Sequence, residues 1–219
     1  MTLRSLILLR HGETEWNADR RLQGHRDIAL NEVGLRQAAQ AAPSIAALQP
    51  EVVVASDLQR ALVTAQTVAA ELGLPVTVDP RLRETGLGDW EGLTVDDARA
   101  NWPDEWAAWT STSALNHPPG GESRWEVAGR AGGAVDELDE SGVTSALLVA
   151  HGGTIVGLTG RLLGLPHEHW SMLVGIGNCH WVVLHRVPDA SRWRLHTYNA
   201  GLGAVVVTGS ADRDEVAGT

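Results

Sequence analysis

The sequence contains no lysine: all 17 of its basic residues are arginine. Set against 27 Asp and Glu residues, they leave a formal charge of −10. So acidic a chain is a poor match for a polyphosphate backbone, which argues against nucleic-acid binding. A small anionic ligand would require the arginines to be concentrated locally. Cysteine is nearly absent as well. The single Cys179 excludes an intrachain disulfide and a cysteine zinc cluster. Its setting, Gly177-Asn178-Cys179-His180-Trp181-Val182-Val183, reads as a core thiol. Long apolar runs are missing: no segment reaches the ~20 residues needed to span a bilayer. The first apolar run is too short for a signal-peptide core and has no small-residue cleavage site, so a cytoplasmic location is expected. Neither an internal repeat nor a Pro/Gly/Ser linker interrupts the 219 residues. Residues 1–208 are expected to form a single domain with a sizeable core, and the small, polar, acidic tail 209–219 to be disordered.

What is present is an alternation of short branched runs with helical patterns. Ser5 to Leu9, Val52 to Ala55, Ala146 to Ala150 and His180 to His185 read as strands, with Val76 to Val78 and Trp193 to Tyr198 as shorter ones. Asn31 can cap a helix from Glu32 to about Leu48, and Asp57 one from Leu58 to Leu72 that Gly73 ends. Ser123-Arg124-Trp125-Glu126 fits a capping box opening a helix to about Glu140. Thr154 to Leu163 is a shorter helix. The pattern predicts an α/β fold, three layers α/β/α, with a mostly parallel central sheet of about six strands. The stretch of about 89–121 departs from it and reads as a helical lid insertion, with a capped helix at Thr94 and Asp97. Within it Trp102, Trp106 and Trp109 fall on one helical face, either as a packing stripe or as a substrate-stacking surface. The His180 to His185 strand is a candidate sheet edge that could pair in a homodimer.

Four of the apolar segments end in polar functional residues. Leu6-Ile7-Leu8-Leu9 runs into Arg10-His11-Gly12-Glu13-Thr14. Val52 to Ala55 runs into Ser56-Asp57-Leu58-Gln59-Arg60, the Val76 strand into Arg81-Leu82-Arg83-Glu84, and Ala146 to Ala150 into His151-Gly152-Gly153. In a parallel sheet the carboxyl ends of the strands share one edge, where ligands bind. Arg10, His11, Arg60 and His151 can therefore converge. Arginine holds phosphate by paired hydrogen bonds, and histidine can act as nucleophile or proton carrier near neutral pH. Gly12 is read as letting a ligand approach the backbone. His167-Glu168-His169 offers two imidazoles, but at i and i+2 they do not share a helical face, and no metal site is expected there.

Leu9-Arg10-His11-Gly12-Glu13-Thr14-Glu15-Trp16-Asn17 resembles the signature of the histidine phosphatase superfamily, the phosphoglycerate mutase-like fold. Ser56 to Ala61 with Thr64-Ala65, Leu82-Arg83-Glu84 with Gly88-Asp89-Trp90-Glu91-Gly92, and Val149 to Gly153 resemble its later segments in the same order. The resemblance implies a phosphomonoesterase that needs no metal or other cofactor. It implies that His11 is the nucleophile that carries the phosphoryl group, that Glu84 is the proton-transfer acid and base, and that Arg10, Arg60 and His151 bind the phosphate oxygens. Asn17 and Gln23 are implied as further phosphate-side residues. A carboxyl shielded by a lid would suit the acid role.

The family also contains cofactor-dependent phosphoglycerate mutases, so the fold alone does not decide the reaction. The mutases have a longer insertion carrying basic residues that clamp the substrate carboxylate. Here no basic residue lies between Arg99 and Arg124, which favours a phosphatase. A non-enzymatic phospho-ligand binding protein is a further alternative, opposed by the retention of all five central residues. Leu82 to Thr94, Gly120 to Arg124, Gly175 to Asn178, Arg192 to Leu195 and Asn199-Ala200 are similar to one actinobacterial group within the family, the glucosyl-3-phosphoglycerate phosphatases. That likeness implies a sugar or glycerate phosphate as substrate.

Overall fold

The computed structural model describes residues 2–111, 113–187 and 192–201. The strands are β1 (Ser5–Arg10), β2 (Val52–Ala55), β3 (Val76–Val78), β4 (Ser145–Ala150), β5 (Trp181–Arg186) and β6 (Trp193–Ala200). They form one sheet in the order β3-β2-β4-β1-β5-β6. β3, β2, β4 and β1 run parallel, while β5 and β6 are antiparallel additions. The helices are α1 (Glu15–Ala18), α2 (Glu32–Ala46), α3 (Gln59–Leu72), α4 (Val95–Asn101), α5 (Pro103–Trp109), α6 (Arg124–Glu140) and α7 (Gly152–Leu162).

The layering follows from strand alternation. On β1, Leu6 and Leu8 point into an apolar cluster with Ala131, Ala134 and Val135 of α6 and Ile155 and Leu158 of α7. Ile7 and Leu9 point the other way, into Ala42 and Ile45 of α2 and Ala61, Ala65 and Val68 of α3. Because β1 is buried on both faces, it reads as a continuous apolar run rather than an alternating one. The expected three-layer α/β/α architecture is present.

Most predicted helix starts hold. Asn31 accepts from Gly34 N, and Ser123 with Glu126 forms a capping box, as does Thr94 with Asp97. Asp57 does not cap α3. The cap position is Leu58, which has no side-chain bond, because the Asp57 carboxylate is taken by Arg83, with Nη2 to Oδ2 at 2.6 Å. α7 starts at Gly152, two residues before the expected Thr154. The segment around His180 to His185 is not an edge: β5 lies between β1 and β6, and among the described residues the edges of the sheet are β3 and β6. That strand therefore has no free backbone edge through which a second copy could pair, since it is paired on both sides. The predicted tail 209–219 lies outside the described residues.

The insertion builds its own small core. Trp90 is fully buried, with Trp106 and Trp109 at 5.2 and 6.3 Å between ring centroids. The three-tryptophan face is interrupted, because the chain breaks at Trp102 between α4 and α5, where Pro103 opens a new helix. Trp106 packs in this cluster, and Trp109 both packs there and lines the cleft described next.

Candidate active site

β1 and β4 are parallel neighbours in a register that sets Arg10 opposite Ala150. The next residues, His11 and His151, therefore leave the sheet side by side, with ring centroids 5.1 Å apart. Arg60 enters from the first turn of α3, and Glu84 from the loop after the 3₁₀ turn Pro80–Leu82 that follows β3. The predicted residues converge at the carboxyl edge of the parallel strands. Arg10, His11, Asn17, Gln23, Arg60 and Glu84 line one cleft, and His151, wholly buried, lies beside Arg60 at its floor.

The tautomers follow from the partners. His11 Nδ1 is 2.7 Å from the carbonyl oxygen of Gly12. A carbonyl only accepts, so Nδ1 carries the proton and Nε2 keeps its lone pair. Arg60 Nε donates to His151 Nδ1 at 3.2 Å, so the His151 proton sits on Nε2. Among the described residues that Nε2 has no acceptor, and neither does the buried Nε of Arg10. Buried donors are almost always paired in folded proteins. Two of them beside one free imidazole nitrogen suit an anion with several oxygens. Arg60 also donates to the carbonyls of Gly24 and Arg26, which spends three of its five N–H bonds and leaves two.

Burial and the neighbouring Arg60 and Arg10 hold both histidines well below their usual range, so both are neutral at physiological pH. Burial lowers the arginines as well, to about 10, with the Glu84 carboxylate partly offsetting it. They remain charged at pH 7. The site thus combines fixed cations with an uncharged nucleophilic nitrogen.

Glu84 is not shut in an apolar pocket as the lid argument supposed. Its half-buried carboxylate accepts from Thr85 N at 2.8 Å and from Gly153 N and Thr154 N, both at 3.2 Å, in the first turn of α7. A Cβ on Gly153 would lie 2.5 Å from Thr85 Oγ1 and 2.7 Å from Glu84 Oε1; glycine is what lets the carboxylate dock. Gly12 likewise differs from its expected role. A Cβ there would meet the backbone of Gly34 in α2, so this glycine allows a helix, rather than a ligand, to approach.

Asn17 and Gln23 present their amides to the cleft with the oxygens engaged. Asn17 Oδ1 accepts from Thr14 N, and Gln23 Oε1 is 3.1 Å from the Thr14 hydroxyl. Each thereby directs its –NH₂ donors away from Thr14. Cys179 is buried against Ala38 and Ala41, and burial pushes its thiol up to about 12, as a core cysteine.

Three residues escape sequence reasoning. Arg130 of α6 donates to the carbonyls of Arg81, Arg83 and Glu84 and pairs with Glu122 at 2.8 Å. His25 Nε2 reaches the Glu84 carbonyl as well, at 2.8 Å. Together they hold the backbone that carries Glu84. Arg124, just beyond the interval without basic residues, reaches the cleft. The absence of bases within that interval therefore says less about the reaction than its sequence suggests. Both arginines lie within a helix, where a cation ordinarily means a solvated face.

Residues 6–201 match the profile of the histidine phosphatase superfamily, branch 1. The chain belongs to this family. Among relatives of this histidine phosphatase, the glucosyl-3-phosphoglycerate phosphatase of Mycolicibacterium vanbaalenii is 44% identical over 217 residues, 91% of this chain and 96% of that protein. The enzyme of the same name from Mycobacterium tuberculosis is 43% identical over 215 residues, with the same coverage. A solved structure of mycobacterial glucosyl-3-phosphoglycerate phosphatase in complex with VO3 matches with a TM-score of 0.84 at 43% identity, covering 90% of this chain and all of that one.

Proposed function

We propose that this histidine phosphatase hydrolyses glucosyl-3-phosphoglycerate, or a closely similar glycerate phosphate, through a phosphohistidine on His11. The observation that carries the reading is the pair of unsatisfied buried donors, Arg10 Nε and His151 Nε2, beside a neutral His11 whose Nε2 is free. The high identity to glucosyl-3-phosphoglycerate phosphatases over most of the chain supports the substrate.

In the first step His11 Nε2 attacks phosphorus and the ester P–O bond breaks in line. Arg10, Arg60 and the His151 Nε2–H hold the equatorial oxygens as charge shifts toward the leaving group. The amide donors of Asn17 and Gln23 assist at the rim. Glu84, protonated as it enters this step, gives its proton to the departing alkoxide. In the second step the Glu84 carboxylate takes a proton from water, whose oxygen attacks phosphorus, and the P–N bond breaks. The products are the free alcohol and inorganic phosphate. Splitting one displacement into two uses the same cationic cradle twice. The cations are the protein's own, so the reaction proceeds in the presence of a chelator.

A panel of phosphorylated sugars, glycerates, phosphoamino acids and nucleotides, assayed for phosphate release with EDTA present, tests the reading. Preference for the glucosylated glycerate phosphate supports it. Interconversion of phosphoglycerates stimulated by a bisphosphate primer, without phosphate release, would instead make the protein a mutase.

A further inference from the structure

The chemistry above makes no use of Arg124. This residue opens α6, where a cation is opposed by the helix dipole, so the helix itself gains nothing from it. Its guanidinium lies over the ring of Trp109, with Cζ 3.9 Å from the ring centroid. Its Nη1 donates to the carbonyl of the same residue at 2.8 Å. Those two contacts fix the plane of the group. Among the described residues the remaining Nε and Nη2 edge has no hydrogen bond and no carboxylate pairs with it. The other peripheral cation of the cleft, Arg21, differs, since its Nη1 bonds the Gly92 carbonyl and its Nε lies 3.9 Å from Asp19. Burial lowers Arg124 to about 10, with Glu84 the charge that partly offsets this. It is therefore a charged, half-buried guanidinium that makes no ion-pair contact among the described residues. Glu84 acts on it as a nearby charge without ion-pair contact, and the Glu84 oxygens accept from Thr85, Gly153 and Thr154.

A fixed guanidinium edge with two parallel N–H bonds matches the two oxygens of a carboxylate. We propose that Arg124, clamped on Trp109, binds a carboxylate of the substrate, so that the cleft selects phosphate esters carrying a second anionic group. The proposal rests on the phosphatase reading above and sharpens it. A glycerate phosphate carries such a carboxylate; a simple sugar phosphate does not. Trp109 then acts in specificity from within the packing cluster, by holding the guanidinium rather than by stacking on a sugar.

The test uses 3-phosphoglycerate and glycerol 3-phosphate, which differ in a carboxylate against a hydroxymethyl group. The wild-type protein should prefer the carboxylated ester in kcat/KM by tenfold or more. Arg124→Gln should reduce that preference at least tenfold, chiefly through KM, and Arg124→Lys should restore part of it. A wild-type protein without preference overturns the proposal, whatever the fate of the variants. So does a Gln variant that lowers both esters by the same factor, the signature of a purely structural role. An aryl phosphate assayed alongside separates the two readings. Hydrolysis of it without carboxylate preference removes the proposal alone, whereas failure to hydrolyse any of the three esters removes the phosphatase reading and the proposal with it.

Discussion

Replacing Gly153 with alanine should damage catalysis while leaving the fold intact. The added Cβ would sit 2.7 Å from Glu84 Oε1 and 2.5 Å from Thr85 Oγ1, where ordinary contact begins at 3.4 Å. The carboxylate must therefore move by about 0.7 Å, and its bonds from Gly153 N and Thr154 N, already 3.2 Å long, lengthen further. Misplacing a reacting group by about 1 Å can cost ~10²-fold in rate. We expect Gly153→Ala to lower kcat/KM on alkyl phosphates by about 30- to 100-fold. Stability should change little. Alanine gains up to about 1 kcal/mol over glycine within a helix, and the atoms that must yield are side-chain ends rather than backbone. The assay is a leaving-group series. An alkoxide needs the proton of Glu84, whereas dinitrophenolate leaves without one. On 2,4-dinitrophenyl phosphate the loss in kcat/KM, which reports transfer to His11, should be under about fivefold. Equal losses on both esters, or no loss on the alkyl ester, would refute the docking of Glu84 on α7 as the source of its action.

Two further outcomes follow from the buried charges. His11 and His151 are held neutral below pH 6.5 in the folded chain but titrate near 6.5 when unfolded. As pH falls below about 6.5 the unfolded chain takes up protons that the folded one refuses. Stability should therefore fall with acid by up to about 1.4 kcal/mol per pH unit for each histidine; urea unfolding between pH 5 and 8 should show His151→Asn with a slope smaller by about one proton, and an unchanged slope would contradict a buried neutral His151. Arg130→Gln, which removes the donors to the carbonyls of Arg81, Arg83 and Glu84 and the Glu122 pair, should cost about 2–3 kcal/mol in urea unfolding and impair alkyl ester hydrolysis more than that of the dinitrophenyl ester.

Much of this architecture is written locally. β1, β2 and β4 are buried on both faces, so each is an uninterrupted branched run, and the polar residues just past their ends face the cleft because parallel strands share a carboxyl edge. The capping boxes at Thr94 and Ser123 are local signals too, and both hold. Failures occur where distant groups compete. Asp57 has the identity and spacing of a cap, but Arg83 from another loop takes its carboxylate. The β5 strand resembles an edge because sequence does not give strand order, and β6 covers it. Gly12 answers to the backbone of α2, not to a ligand. Arg124 and Arg130 look like solvated helix cations, since their partners, the Trp109 ring and carbonyl and the carbonyls around Glu84, come from other segments.

The central claim is that His11 Nε2 carries the phosphoryl group. Rapid mixing with a ³²P-labelled ester followed by alkaline quench traps the intermediate. The account predicts label on the protein that is stable to base, released by acid, located at His11 by peptide mapping and lost in His11→Ala together with turnover. Steady turnover in the His11→Ala variant, or label on any other residue, would contradict it.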